Sequence, residues 1–158
     1  MTKQKGLYRL PRDSEIPIEL AKLVGLITIR VGELERLLMS VYHQKLEPQR
    51  NILDVIAELK TEFKTLANRI RHIKGKFEER KISIPDWLNF DNLTELAKKR
   101  NAIHDSLLIH EEGFLCWLSS SENRDHRKAD SSDLKDLLNC LNGTLFQIEA
   151  NLNKKENS

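Results

Sequence analysis

The residue types best able to do chemistry stand together at Arg100-Asn101-Ala102-Ile103-His104. On a helix, positions four apart share one face, so the Arg100 guanidinium and the His104 imidazole lie one turn apart. Asn101 is one step round, and Asp105 follows the histidine. The set offers a fixed cation, a neutral hydrogen-bonding group and a group that titrates near neutrality. Such a set suits phosphodiester cleavage without a metal. His104 can take the proton of a 2′-hydroxyl or return one to the leaving oxygen. Arg100 can stabilise the charge that builds on the phosphoryl group, and Asn101 can orient the imidazole or the phosphate. The same residue types near a helix end also serve as plain caps or pairing partners. Position sets Arg100 apart. It falls in the apolar stripe Leu93, Leu96, Arg100, Ile103, Leu107, where a cation needs partners. Arg30, Glu33 and Glu35 are candidates to supply them, and we read Arg30, Glu35 and Asp105 as supporting residues.

A second candidate is charge. The formal net charge of the 158 residues is only +2, too small to announce a nucleic-acid binder. Between Lys60 and Lys81, however, eight Lys or Arg face three Glu, so one segment is basic and the remainder slightly acidic. Lys60, Lys64, Arg71 and Lys74 are the positions expected to meet an RNA backbone, with Arg69, Lys76, Arg80 and Lys81 beside them. The plain alternative is the solvated face of a long helix. His43 and His72 read as lone surface histidines. His110, with Asp105 and Cys116, lacks a tight ligand spacing, so no metal or other cofactor is expected. Trp87 and Trp117 can stack a base or simply pack at a bundle edge. There is no glycine-rich phosphate loop and no nucleophile elbow.

These residues need a scaffold, and the apolar spacing supplies one. Residues 1–15 read as a polar arm, residues 16–152 as one helical domain and residues 153–158 as a frayed tail. Ile16-Pro17 opens a first helix with the stripe Leu20, Leu23, Ile27, Val31, Leu34, Leu38, Val41. Extra apolar residues (Val24, Leu26, Ile29, Leu37) widen it, so this helix is central or meets a second subunit. After Glu47-Pro48, the series Ile52, Ile56, Leu59, Phe63, Leu66, Ile70, Ile73, Phe77 repeats every seven residues and predicts one long helix with a near-antiparallel partner. A third helix covers about Asp91 to Leu107. Two short apolar runs around Glu111-Glu112-Gly113 suggest a small β-hairpin. Ser119 to Asp130 reads as a loop. A last helix carries Leu134, Leu138, Leu141, Leu145, Ile148 and Leu152. The two cysteines, Cys116 and Cys140, suggest no disulfide framework, and no apolar run is long enough to span a bilayer. With no signal core at Met1-Thr2-Lys3-Gln4-Lys5-Gly6, the expected location is the reduced cytoplasm.

The Arg-Asn-x-x-His stretch, followed by Ser106, a hairpin with Trp117 and a final amphipathic helix, resembles the HEPN superfamily (higher eukaryotes and prokaryotes nucleotide-binding). Gly32-Glu33-Leu34-Glu35 is similar to the Leu-Glu element in the first helix of bacterial members. The resemblance covers residues 18 to 152 in layout, and Arg100, Asn101 and His104 are its one specific motif. Three residues separate Arg100 from His104 where the family has four to six. The resemblance implies an all-α, up-and-down bundle of four to five helices with a small β-hairpin after the third long helix. It implies a homodimer, here through apolar surface around helices one and three. It implies a metal-independent endoribonuclease or RNA-binding component of a bacterial defence or toxin-like system, with a cognate protein partner. The alternatives are a non-catalytic interaction module of the same fold, or a nucleotide or small-ligand sensor.

Overall fold

The computed structural model describes residues 18–105, 109–111, 114–116, 128–129 and 131–154, and of Leu20, residues 101–105, 109–111, 114–116 and 128–129 and Ser131 the backbone alone. The expected arm 1–15, the Ile16-Pro17 helix start, Trp117 and residues 155–158 lie outside the described residues. Five helices are described: α1 (Ile18–Leu46), α2 (Ile52–Glu62), α3 (Leu66–Glu79), α4 (Phe90–Asp105) and α5 (Ser131–Leu152). The all-α class follows from them.

The expected long second helix is two helices. Phe63 leaves the helical region (φ −122°, ψ 90°), and Thr65 starts α3 as its N-cap, accepting from the Asn68 N–H at 3.2 Å. The seven-residue repeat hides this break because each half keeps its own three- and four-residue steps, and the step from Phe63 to Leu66 crosses the junction. The freed Phe63 carbonyl accepts from Arg69 Nε at 2.7 Å, so no buried acceptor is orphaned there. The break also turns α2. Its buried residues are Val55 and Leu59, while Ile52, expected in the core, is 39% exposed.

Side-chain pairs fix the helix directions. Arg69 at the start of α3 meets Glu35 in mid-α1, and Arg80 just past the end of α3 meets Glu47 just past the end of α1. α3 therefore runs parallel to α1, and α2 returns between them. Arg80 Nη1 also donates to the Leu46 carbonyl, one of the acceptors a helix C-terminus leaves unsatisfied. Phe77 packs edge-on against Phe90, with centroids 6.1 Å apart, so α4 starts where α3 ends and runs back beside it. Glu19 and Lys135 pair at 3.4 Å, which puts the first turns of α1 and α5 side by side. α1 and α5 form the most extensive helix contact. The legs thus alternate in direction through five helices, with α1, α3 and α5 pointing the same way.

One core joins all five. Leu34, Val41, Val55, Ile73 and Phe77 are completely buried, and Leu23, Ile27, Leu93, Leu96, Leu134, Leu141 and Ile148 lie within the same cluster. Each such side chain contributes about 1.5–3 kcal/mol through removal from water. Between α4 and α5 lie three strands of two or three residues: β1 (Ile109–Glu111), β2 (Phe114–Cys116) and β3 (Lys128–Ala129), antiparallel in that order. The expected hairpin is not seen as such. Its turn, Glu112-Gly113, lies outside the described residues, and the third strand falls in the segment read as loop.

Candidate functional site

α4 positions the Arg100 turn. Asn89 caps its start, accepting from the Asn92 N–H at 3.0 Å, and Leu93, Leu96 and Ala97 bury its inner face. Arg100 continues that face, and its side chain is half-buried. The helix is α-helical without interruption to Asp105. The backbone therefore places Arg100 and His104 one turn apart on one face, with no bulge between them to lengthen the spacing. The side chains of Asn101, His104 and Asp105 lie outside the described residues.

The supporting residues on α1 have partners other than those expected. Arg30 pairs with Glu33 at 3.0 Å on its own helix, and its Nε is buried without a hydrogen-bond partner. Glu35 pairs with Arg69 at 3.4 Å. Glu35 thus holds α3 rather than α4, because the junction at Phe63–Thr65 brings Arg69 over α1.

The basic segment is not one stripe. Lys60 lies on α2, Lys64 in the junction, and Arg71 and Lys74 on α3, so the helix break divides the expected RNA-facing row. Three of its cations serve the fold. Arg69 is 9% exposed and bonded to Phe63 and Glu35. Lys76 pairs with Glu79, and Arg80 caps α1. Lys60, Lys64 and Arg71 are exposed and Lys74 is half-buried. Among the described residues none of these four forms an ion pair. α4 packs on both α3 and α5: Phe90 meets Phe77, and Asn92 Nδ2 donates to the Thr144 hydroxyl at 3.0 Å.

The residues that sequence reasoning missed lie where α1, α2 and α3 meet. His72 is half-buried, stacked on Phe63 with ring centroids 4.0 Å apart and tilted against Tyr42 at 5.7 Å. Burial lowers its pKa from 6.5, Lys76 adds to the lowering, and Glu62, Glu58 and Glu79 oppose it. Tyr42 is 3% exposed. Burial, then Glu47 and Glu58, raise its pKa, while Lys76 and Arg80 act against them. His43 Nε2 bonds to the Arg50 carbonyl at 2.8 Å and ties the end of α1 to the following loop. Both histidines are thus structural partners rather than lone surface groups. The available signal was the run Arg69, His72, Lys76, which flanks the buried stripe of α3. Trp87 packs against the core. Among the described residues no group of three or more His, Cys, Asp or Glu is placed to hold a metal, and no helix is long and apolar enough to cross a membrane.

No protein-family model, curated protein or solved structure matches the chain.

Proposed function

We propose that this chain binds single-stranded RNA across the α4 face at Arg100 and the α2–α3 junction, and that Arg100 and His104 cleave it without a metal. The observation that carries this reading is the uninterrupted α4 helix. Its backbone carries positions 100 and 104 one helical turn apart on one face, which supports the reading. In the proposed reaction the 2′-hydroxyl attacks the adjacent phosphorus and its proton passes to His104. The bond from phosphorus to the 5′-oxygen breaks, and His104 returns that proton to the oxygen as it leaves. Arg100 carries the phosphoryl charge in between. The products are a 2′,3′-cyclic phosphate and a free 5′-hydroxyl. Membership of the HEPN superfamily and a cytoplasmic, defence-related role belong to the same proposal.

The test is incubation with mixed RNA in excess chelator. Cyclic-phosphate ends formed by the wild type and lost in His104→Ala are the expected result. Cleavage that persists in His104→Ala removes the catalytic assignment. Retention of RNA without cleavage leaves a binding protein, and no retention overturns the reading.

A further inference from the structure

We infer that the chain pairs with a second copy of itself through the outer faces of α1 and α5, with α1 of each copy lying on α5 of the other. The inference is independent of whether Arg100 and His104 cleave RNA. It also moves the contact from the expected surface, helices one and three, to a different pair.

The outer face of α1, opposite its buried residues, reads Lys22, Gly25, Ile29, Gly32, Arg36 and is exposed throughout. The outer face of α5 reads Asp136, Asn139, Gly143, Phe146, Ala150 and is exposed throughout as well. Phe146 is 76% exposed, Ile29 58%, and Ile18 and Leu26 on the same side of α1 are 74% and 42% exposed. Large apolar side chains left in water on two adjacent helices mark a contact surface. Their separations are what identify the occupant. Both rows advance by steps of three, four, three and four residues, so they can be laid position against position. Lys22 then meets Asp136, its opposite in charge. Ile29 meets Gly143 and Phe146 meets Gly32, a large side chain over a glycine each time. At the far end Arg36 meets Ala150, whose small side chain leaves the guanidinium room to reach the exposed carboxylate of Glu149 beside it. Both ends of the row thus carry opposite charges. Among the described residues none of Lys22, Arg36, Asp136 and Glu149 forms an ion pair.

The glycines fit the same reading. Glycine within a helix costs about 1 kcal/mol against alanine. A Cβ added at Gly32 or Gly143 would meet nothing within 4 Å, so packing inside the chain does not call for the missing side chain. Close approach by a residue from outside does. The symmetry closes too. A two-fold axis parallel to the helices keeps every residue at its own height, so α1 meets the second copy's α5 at the level at which it meets its own. The Glu19–Lys135 pair sets that level. It agrees with the Lys22–Asp136 register to within two residues, about 3 Å along the axis. Each copy offers one α1 and one α5, so the contact is made twice and leaves no open end.

The full chain is tested by sedimentation equilibrium at low salt. A dimer of the 18.4 kDa chain is expected. Lys22→Glu with Arg36→Glu, and separately Asp136→Lys with Glu149→Lys, should each weaken association about tenfold or more through like-charge contact. The four changes together should restore it. Phe146→Asp should give a monomer with unchanged helical circular dichroism. A monomeric wild type overturns the inference and assigns this face to a different occupant. A dimer that survives Phe146→Asp, or a four-fold variant that stays monomeric while folded, overturns it equally.

Discussion

Arg69 and Glu35 join α3 to α1 at the point where the second leg of the bundle breaks: Nη1 stands 3.4 Å from the carboxylate, while Nε donates to the Phe63 carbonyl at 2.7 Å. One side chain thus closes both a charge and a backbone acceptor. Arg69→Met keeps most of the apolar stem and removes both bonds. It should lower unfolding stability by about 2 kcal/mol, since a hydrogen bond to charge is lost and two acceptors are left to water. The measurement is the urea midpoint at constant m-value. An unchanged midpoint would show that the pair adds nothing to the junction.

Thr65 starts α3 by accepting from the Asn68 N–H. Thr65→Ala should cost about 1 kcal/mol, as loss of a helix N-cap does, and Thr65→Ser should cost much less. Thermal unfolding of the two variants side by side separates the cap from the methyl group. Equal losses would argue against the cap.

His72 makes stability depend on pH. Burial holds its pKa below 6.5, so the unfolded chain binds the proton more readily than the folded one. Stability is therefore full above the unfolded value and declines as pH falls through it towards the lower folded value. His72→Phe keeps a ring against Phe63 and Tyr42 but cannot titrate. Between about pH 7 and pH 5 the variant should lose less stability than the wild type. Parallel curves would remove His72 from the account.

The exposed Lys60 and Lys64 bear on RNA through salt. If each neutralises one phosphate of a single strand, Lys60→Gln with Lys64→Gln should flatten the plot of log affinity against log salt by about 1.4. Arg80→Gln should leave the slope unchanged, because Arg80 caps α1. Equal effects from both variants would mean that general charge, not this surface, holds RNA.

Much of the scaffold was legible in the sequence. Leu23, Ile27, Val31, Leu34, Leu38 and Val41 are buried as their spacing predicts, and so are Leu134, Leu141, Leu145 and Ile148. Periodicity reports which face carries most of the apolar residues, and in these helices that face is the buried one. It does not report where a helix stops when the next one resumes in phase, and the break at Phe63–Thr65 was hidden for that reason. The charged residues were harder still. Arg69 was read among cations facing solvent, and Glu35 as a neighbour of Arg100. Their pairing depends on α3 running parallel to α1, which no local pattern encodes. For the candidate site, sequence located the turn and the structure adds its continuous helix.

The odd number of legs has a practical consequence for anyone rearranging the chain. Because α5 points the same way as α1, Ile18 lies near the start of α5 and Leu152 at its far end. Joining them for a circular permutation must span the 22 residues of α5, about 33 Å. That takes roughly ten residues of fully extended chain, and more for a relaxed one. A short glycine-serine bridge would pull the first turn of α1 away from α5 before it closed. Reporter groups attached at Ile18 and Leu152, in contrast, would be held apart by the bundle itself, and their separation would track its integrity.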